Sequence, residues 1–187
     1  MTRILQGVMD FQRRVFGEKK ELFQKLAAGQ APLALFITCS DSRVSPDLLA
    51  QTQPGELFML RNAGNIVPPH AAVKGGEDAT IEYAVSVLRV RDAIVCGHAR
   101  CGAVHGLLSP GSLDKLPSVA AWVEHSRPIL EKLGPGSADD PAHLRKAIEL
   151  NVLLQLEHLT LFLLMHYAAS RVIGFPVSSF WFKSTVP

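Results

Sequence analysis

Leu33-Ala34-Leu35-Phe36-Ile37-Thr38 runs straight into Cys39-Ser40-Asp41-Ser42-Arg43. An apolar run of this length without alternation is the pattern of a strand covered on both faces, as strands of a parallel sheet are. Upstream, Gly29 stops a preceding helix. Two further runs share the character. Leu57-Phe58-Met59-Leu60 follows the turn signal Pro54-Gly55 and leads into the loop Arg61-Asn62-Ala63-Gly64-Asn65, and Ala93-Ile94-Val95-Cys96 ends in Gly97 before His98. Residues 77 to 89 place Ile81, Ala84, Val85 and Leu88 at helical spacing, and Val104, Leu107 and Leu108 mark the next helix. Strands alternating with helices require crossover connections, so the reading is an α/β fold: a mostly parallel central sheet flanked by helices.

Outside this unit, Ile4, Leu5, Val8, Phe11, Val15, Leu22, Phe23 and Leu26 recur at spacings of mostly three and four, which predicts an amphipathic amino-terminal helical arm with Gly17 as a possible break. Residues 109 to 120 read as loop, a helix follows from about Val119 to Leu133, and Gly134-Pro135-Gly136 ends it. Asp140 before Pro141 is an N-cap with proline at the first helical position, opening a long helix to about Leu164. No internal repeat or low-complexity tract is present.

The 187 residues, 48% hydrophobic, suit a single domain spanning 1–187. The net charge of +2, from 19 basic and 17 acidic residues, is dispersed, which argues against nucleic acid or a lipid surface as partner and points to a small substrate. The apolar stretch from Leu159 to Ala169 is interrupted by Thr160 and His166 and falls short of the roughly 20 residues that span a bilayer. No secretory leader pattern opens the chain, so a cytoplasmic location is expected. Three cysteines cannot pair completely, and metal ligation accounts better for two of them than disulfides do.

Ligands of parallel sheets bind outside the carboxyl ends of the strands. Cys39 follows the first strand; His98 and Cys101 stand at the exit of the third. Two thiolates and an imidazole form a zinc site with a vacant fourth position, whereas structural zinc sites are normally closed by four ligands. Cys101, near a helix amino terminus, has its thiolate favoured there. Two thiolates cancel the charge of Zn2+, so its water should be less acidic than the pKa of about 7 found in three-histidine sites, and a basic pH optimum is expected. Asp41 could fill the vacancy or, paired with Arg43, be held ionised beside it as a hydrogen-bond acceptor. Cys96 reads as a buried core residue, and His70, His105 and His166 as solvated or core residues.

CSDSR at 39–43, RNAGN at 61–65, EYAV at 82–85 and GHARCGAV at 97–104, in this order and spacing, resemble bacterial β-class carbonic anhydrases, and NVLLQLEHL at 151–159 resembles that family's late helix. The resemblance covers roughly residues 1 to 159. It implies one Zn2+ per chain on Cys39, His98 and Cys101, with Asp41 and Arg43 as the catalytic dyad and Asp41 a fourth ligand in a closed state. It further implies reversible hydration of CO2 to bicarbonate and a proton by zinc-bound hydroxide. Gln30 matches a glutamine that hydrogen-bonds substrate, Phe58, Ala63 and Tyr83 match pocket positions, and Gly102 matches a backbone donor near the metal. Taken alone, Phe58 and Tyr83 would be core residues and Gln30 a loop residue. A homodimer or higher even oligomer is implied, with both chains lining the pocket.

After Leu159 the resemblance fails, and no late strand is legible. Val172 to Phe175 is a weak substitute that Pro176 would confine to a sheet edge. Residues 160–187 are therefore expected to be an atypical segment, with a missing edge strand and exposed apolar residues from 159 to 182. Members with a bicarbonate-switched closed state carry tryptophan where this chain has Phe36 and a tyrosine in the late strand, so an open, unswitched site is expected. The alternatives are a non-catalytic zinc scaffold or bicarbonate sensor closed by Asp41, and a CS2 or COS hydrolase. A cysteine phosphatase is discounted because only three residues separate Cys39 from Arg43.

Overall fold

The structure, a computed structural model, describes residues 2–69, 75–167 and 177–182, and for 165–167 and 177–182 the backbone alone. The chain divides into two compact units, Met1–Ala31 and Pro32–Pro187.

The first unit is helical: α1 (Thr2–Asp10), a π-helical turn at Phe11–Val15, α2 (Phe16–Glu18) and α3 (Lys20–Ala27). The helical path breaks at Lys19 (φ −111°, ψ 23°), two residues beyond the expected Gly17. Phe11, Phe16 and Phe23 gather their rings within 6.4 Å of one another, while α1 buries none of its residues.

The second unit is built on four parallel strands, β1 (Ala34–Cys39), β2 (Leu57–Asn62), β3 (Asp92–His98) and β4 (Val177–Phe182), in the order β2-β1-β3-β4. All six residues of β1 are buried, as a central strand with both faces covered requires. β2 and β3 each run two residues past the ends read from sequence, so Arg61, Asn62 and His98 are strand residues. Ladder pairing holds these polar ends extended, Arg61 and Asn62 against β1 and His98 against β4, which hydrophobicity alone does not signal.

Between the strands lie α4 (Pro46–Ala50), α5 (Gly76–Glu82) continued by a π-helical turn at Tyr83–Val87, and α6 (Gly102–Leu108). The single helix expected from Val119 to Leu133 is instead α7 (Pro117–Val123), a 3-10 turn at Glu124–Ser126 and α8 (Ile129–Leu133), with Pro128 preceding α8. α9 (Pro141–Tyr167) starts as read, the Ala142 N–H donating to Asp140 Oδ1 at 3.0 Å. It packs so close over β3 that a Cβ on Gly97 would lie 2.6 Å from Val152 Cγ2. By length and composition α9 is apolar enough, over Pro141–Leu164, to cross a membrane, a test that a helix buried in a protein core also passes. Half of its most apolar window is buried, where Ile148, Val152, Leu159 and Phe162 join the core.

The carboxyl-terminal expectation is corrected. A parallel edge strand does form, after Pro176, its β4 backbone pairing with β3 from Ala93↔Val177 to His98↔Phe182. The weak strand expected at Val172 to Phe175 lies outside the described residues. Leu159 and Phe162 are buried in the core, whereas Leu161 and Leu164 are exposed.

Candidate metal centre

The chain leaves β1 for β2 on one side of the sheet and then returns to β3 on the other. Ligand crevices open at such a switch point, and here it lies between the carboxyl ends of β1 and β3. Cys39 is the last residue of β1 and His98 the last of β3. Cys101 is the N-cap of α6, brought round by a turn in which Arg100 adopts φ 55°. The three donor atoms lie within 4.8 Å of one another, and all three residues are buried.

The histidine is set for coordination. Its Nδ1 lies 3.0 Å from the Ala99 carbonyl, which can only accept, so Nδ1 carries the proton and Nε2 keeps its lone pair. Nε2 is buried without a hydrogen-bond partner, an arrangement that costs on the order of 1–3 kcal/mol unless a cation meets it. The Cys39 thiol is drawn down to about 4, chiefly by a hydrogen bond from the Cys101 thiol, helped by the Gly64 amide against the penalty of burial. Cys101 is pushed far up by the same contact and by burial. The pair therefore takes one negative charge readily and the second only beside a cation, and this donor set fits a metal ion.

Asp41 is clamped by Arg43. Nε donates to Oδ1 at 2.9 Å, Nη2 donates to Oδ2 at 2.7 Å, and the Arg43 amide adds a bond to Oδ1 at 2.9 Å. Nη2 also donates to the Arg100 carbonyl at 3.1 Å, joining the Cys39 loop to the turn that carries Cys101. Oδ2 stands 3.9 Å from His98 Nε2. The guanidinium holds the Asp41 carboxyl well below the usual carboxylate range.

A sequence model of the family described as carbonic anhydrase matches residues 34–179. The chain belongs to the β-class carbonic anhydrases. It is 47% identical to the carbonic anhydrase of Pseudomonas aeruginosa over 160 residues, covering 85% of this chain and 73% of that protein. It is 42% identical to that of Synechocystis over 91% of this chain, but spans only 64% of that relative's length. The solved β-carbonic anhydrase CcaA superposes with a TM-score of 0.87 at 37% identity, over 98% of this chain and 83% of that one. A tetrameric β-carbonic anhydrase of Sordaria macrospora gives 0.80 at 29% identity, over 97% and 91%. The family match runs past Leu159, where the sequence reading ended it.

In this β-class carbonic anhydrase, Arg61 and the polar face of α9 are structural parts of the centre that sequence reasoning missed. Arg61 donates to the Cys39, Asp41 and Val44 carbonyls at 2.9 to 3.1 Å, fastening the loop that bears Cys39 and Asp41. Gly64, at φ 84°, donates its N–H to Cys39 Sγ at 3.3 Å, and a Cβ there would press on Ala103. From α9, Asn151 donates to the Gly64 carbonyl, Gln155 accepts from the Val67 amide, and His158 Nδ1 lies 2.7 Å from the Val67 carbonyl. Ser126 and Gln155 both donate to Asn151 Oδ1. The signal was a row of polar residues at helical spacing within the apolar stripe of 151–158.

Phe58 and Tyr83 stack at 5.9 Å, but register sets Phe58 opposite Leu35 while Cys39 pairs with Asn62. Four residues of strand, about 13 Å, separate the two positions, so the pair stands apart from the cluster of its own chain. Tyr83 is 44% exposed, which overturns its reading as a core residue. The Ala63 carbonyl accepts from Trp122 Nε1 at 2.8 Å, and Gly102 opens α6 beside Cys101. Gln30 is exposed in the first unit. Phe36 is buried in β1, Cys96 is buried outside the cluster, and His105 on α6 faces Asp139 at 3.4 Å. His70 and the side chain of His166 lie outside the described residues.

Proposed function

We propose that this chain catalyses the reversible hydration of CO2 to bicarbonate and a proton, with one Zn2+ held by Cys39, His98 and Cys101 and with Asp41 and Arg43 as the dyad beside it. The observation that carries the reading is the buried, partnerless Nε2 of His98 aimed among two thiols at the sheet's switch point. Zinc held there would supply Lewis acidity, lowering the pKa of water, though less far than a three-histidine site does. Arg43 fixes both carboxylate oxygens of Asp41 and keeps it ionised, so that Asp41 accepts a hydrogen bond from the reacting water and excludes competing donors from that edge.

The bidentate pair supports an open site over a scaffold or sensor closed by Asp41, because ligation by Asp41 requires breaking it. The ground for excluding the bicarbonate switch changes. The late strand exists, but it reads Val177-Ser178-Ser179-Phe180-Trp181-Phe182 and contains no tyrosine. A pocket for CO2 needs apolar walls. Since Phe58 and Tyr83 stand apart from their own cluster, a partner chain is the natural source, and the tetrameric Sordaria relatives support an even oligomer. Gln30 and the Gly102 amide complete the proposed substrate contacts.

Stopped-flow CO2 hydration from pH 7 to 9, on chain of measured zinc content with Cys101→Ser as control, tests the reading. Zinc-dependent activity rising with pH is expected. Inactivity at one zinc per chain would overturn it in favour of the closed site.

A further inference from the structure

A core helix ordinarily turns apolar side chains inward, yet α9 buries Asn151, Gln155 and His158 on one face, at 1%, 0% and 9% exposure. The backbone they meet explains part of this. Gly64 to Pro68 is buried and largely outside regular structure, so its amides and carbonyls need partners. Satisfying backbone does not by itself explain why the chain is held in this pose. Gly64 makes both contacts: its carbonyl accepts from Asn151 at 3.0 Å, and across the same Cα its N–H reaches Cys39 Sγ.

We propose that Asn151 is a positioning residue for the metal centre, fixing Gly64 so that its N–H points at the Cys39 sulfur and withdraws charge from that ligand. This rests on the reading of Cys39, His98 and Cys101 as a metal site. An amide donated to a thiolate favours the charged form and leaves the sulfur a weaker electron donor, the way outer partners tune a bound ion. Ser126 supplies the contrast: it hydrogen-bonds Asn151 and Gln155 within the network but neither Gly64 nor Cys39.

The test loads the full chain with Co2+ and reads the sulfur-to-cobalt charge-transfer band in wild type, Asn151→Leu and Ser126→Ala. The expected result is a shift to longer wavelength in Asn151→Leu, with cobalt affinity weakened about 10- to 100-fold, while Ser126→Ala keeps the wild-type band and loses only thermal stability. An unmoved band in folded Asn151→Leu, or equal shifts in both variants, overturns the proposal. Failure of wild type to bind cobalt at all refutes the metal reading itself. Should Asn151→Leu not fold, NMR of the wild-type chain loaded with spin-active cadmium decides: scalar coupling from the metal to the Gly64 amide proton is expected, and its absence overturns the proposal.

Discussion

Cys39 and Cys101 lie side by side with opposite tendencies, one ionising near 4 and the other far above its ordinary value. At pH 7 the metal-free pair therefore holds one proton, and zinc uptake should release about one proton rather than two. Zinc affinity should accordingly rise about tenfold per pH unit across neutrality. Calorimetry in buffers of different ionisation enthalpy reads the count. Asp41 behaves oppositely to a switch: its carboxyl, depressed by Arg43, is ionised throughout the neutral range and should add no limb to the pH profile of activity. Asp41→Asn keeps the shape but loses the charge, and CO2 hydration should drop on the order of a hundredfold with zinc content unchanged. Replacing Arg61 by Leu removes donors from three carbonyls of the Cys39 loop. A loss of roughly 2 kcal/mol is expected in denaturant unfolding of the zinc-loaded protein. The donors of the centre were legible in sequence because thiol and imidazole are rare and chemically specific. Arg61 was not, since a strand-end arginine looks like any solvated cation until the loop it fastens has folded around it.

Helix α9 meets β3 at Gly97, where no side chain fits. Gly97→Ala should destabilise by about 1–3 kcal/mol through overpacking, and adding Val152→Ala should recover part of that loss in a double-mutant cycle read by thermal unfolding. Most elements could be read from the sequence, because β1 and β3 are unbroken apolar runs and α9 carries both its cap and its stripe. What escaped was cooperative. Arg61 and Asn62 are extended because β1 offers ladder partners and His98 because β4 does, and the 3-10 turn between α7 and α8 places Ser126 against α9 rather than satisfying any local preference. β4 escaped because Pro176 drew the reading upstream, although aromatic and β-branched residues after it suit a strand.

In the whole molecule, β3 is an interior strand only because β4 covers its outer edge. A chain ended after Tyr167 exposes that edge, and light scattering should report association at concentrations where the full chain stays dispersed. All three metal donors precede Gly102, yet the residues that hold the Gly64 loop in place come from positions 151 to 158. During synthesis the emerging polypeptide thus carries the three candidate metal donors for some fifty residues before the helix that latches their surroundings exists. Metal captured by such a nascent chain should exchange freely, and become trapped only once α9 has cleared the ribosome.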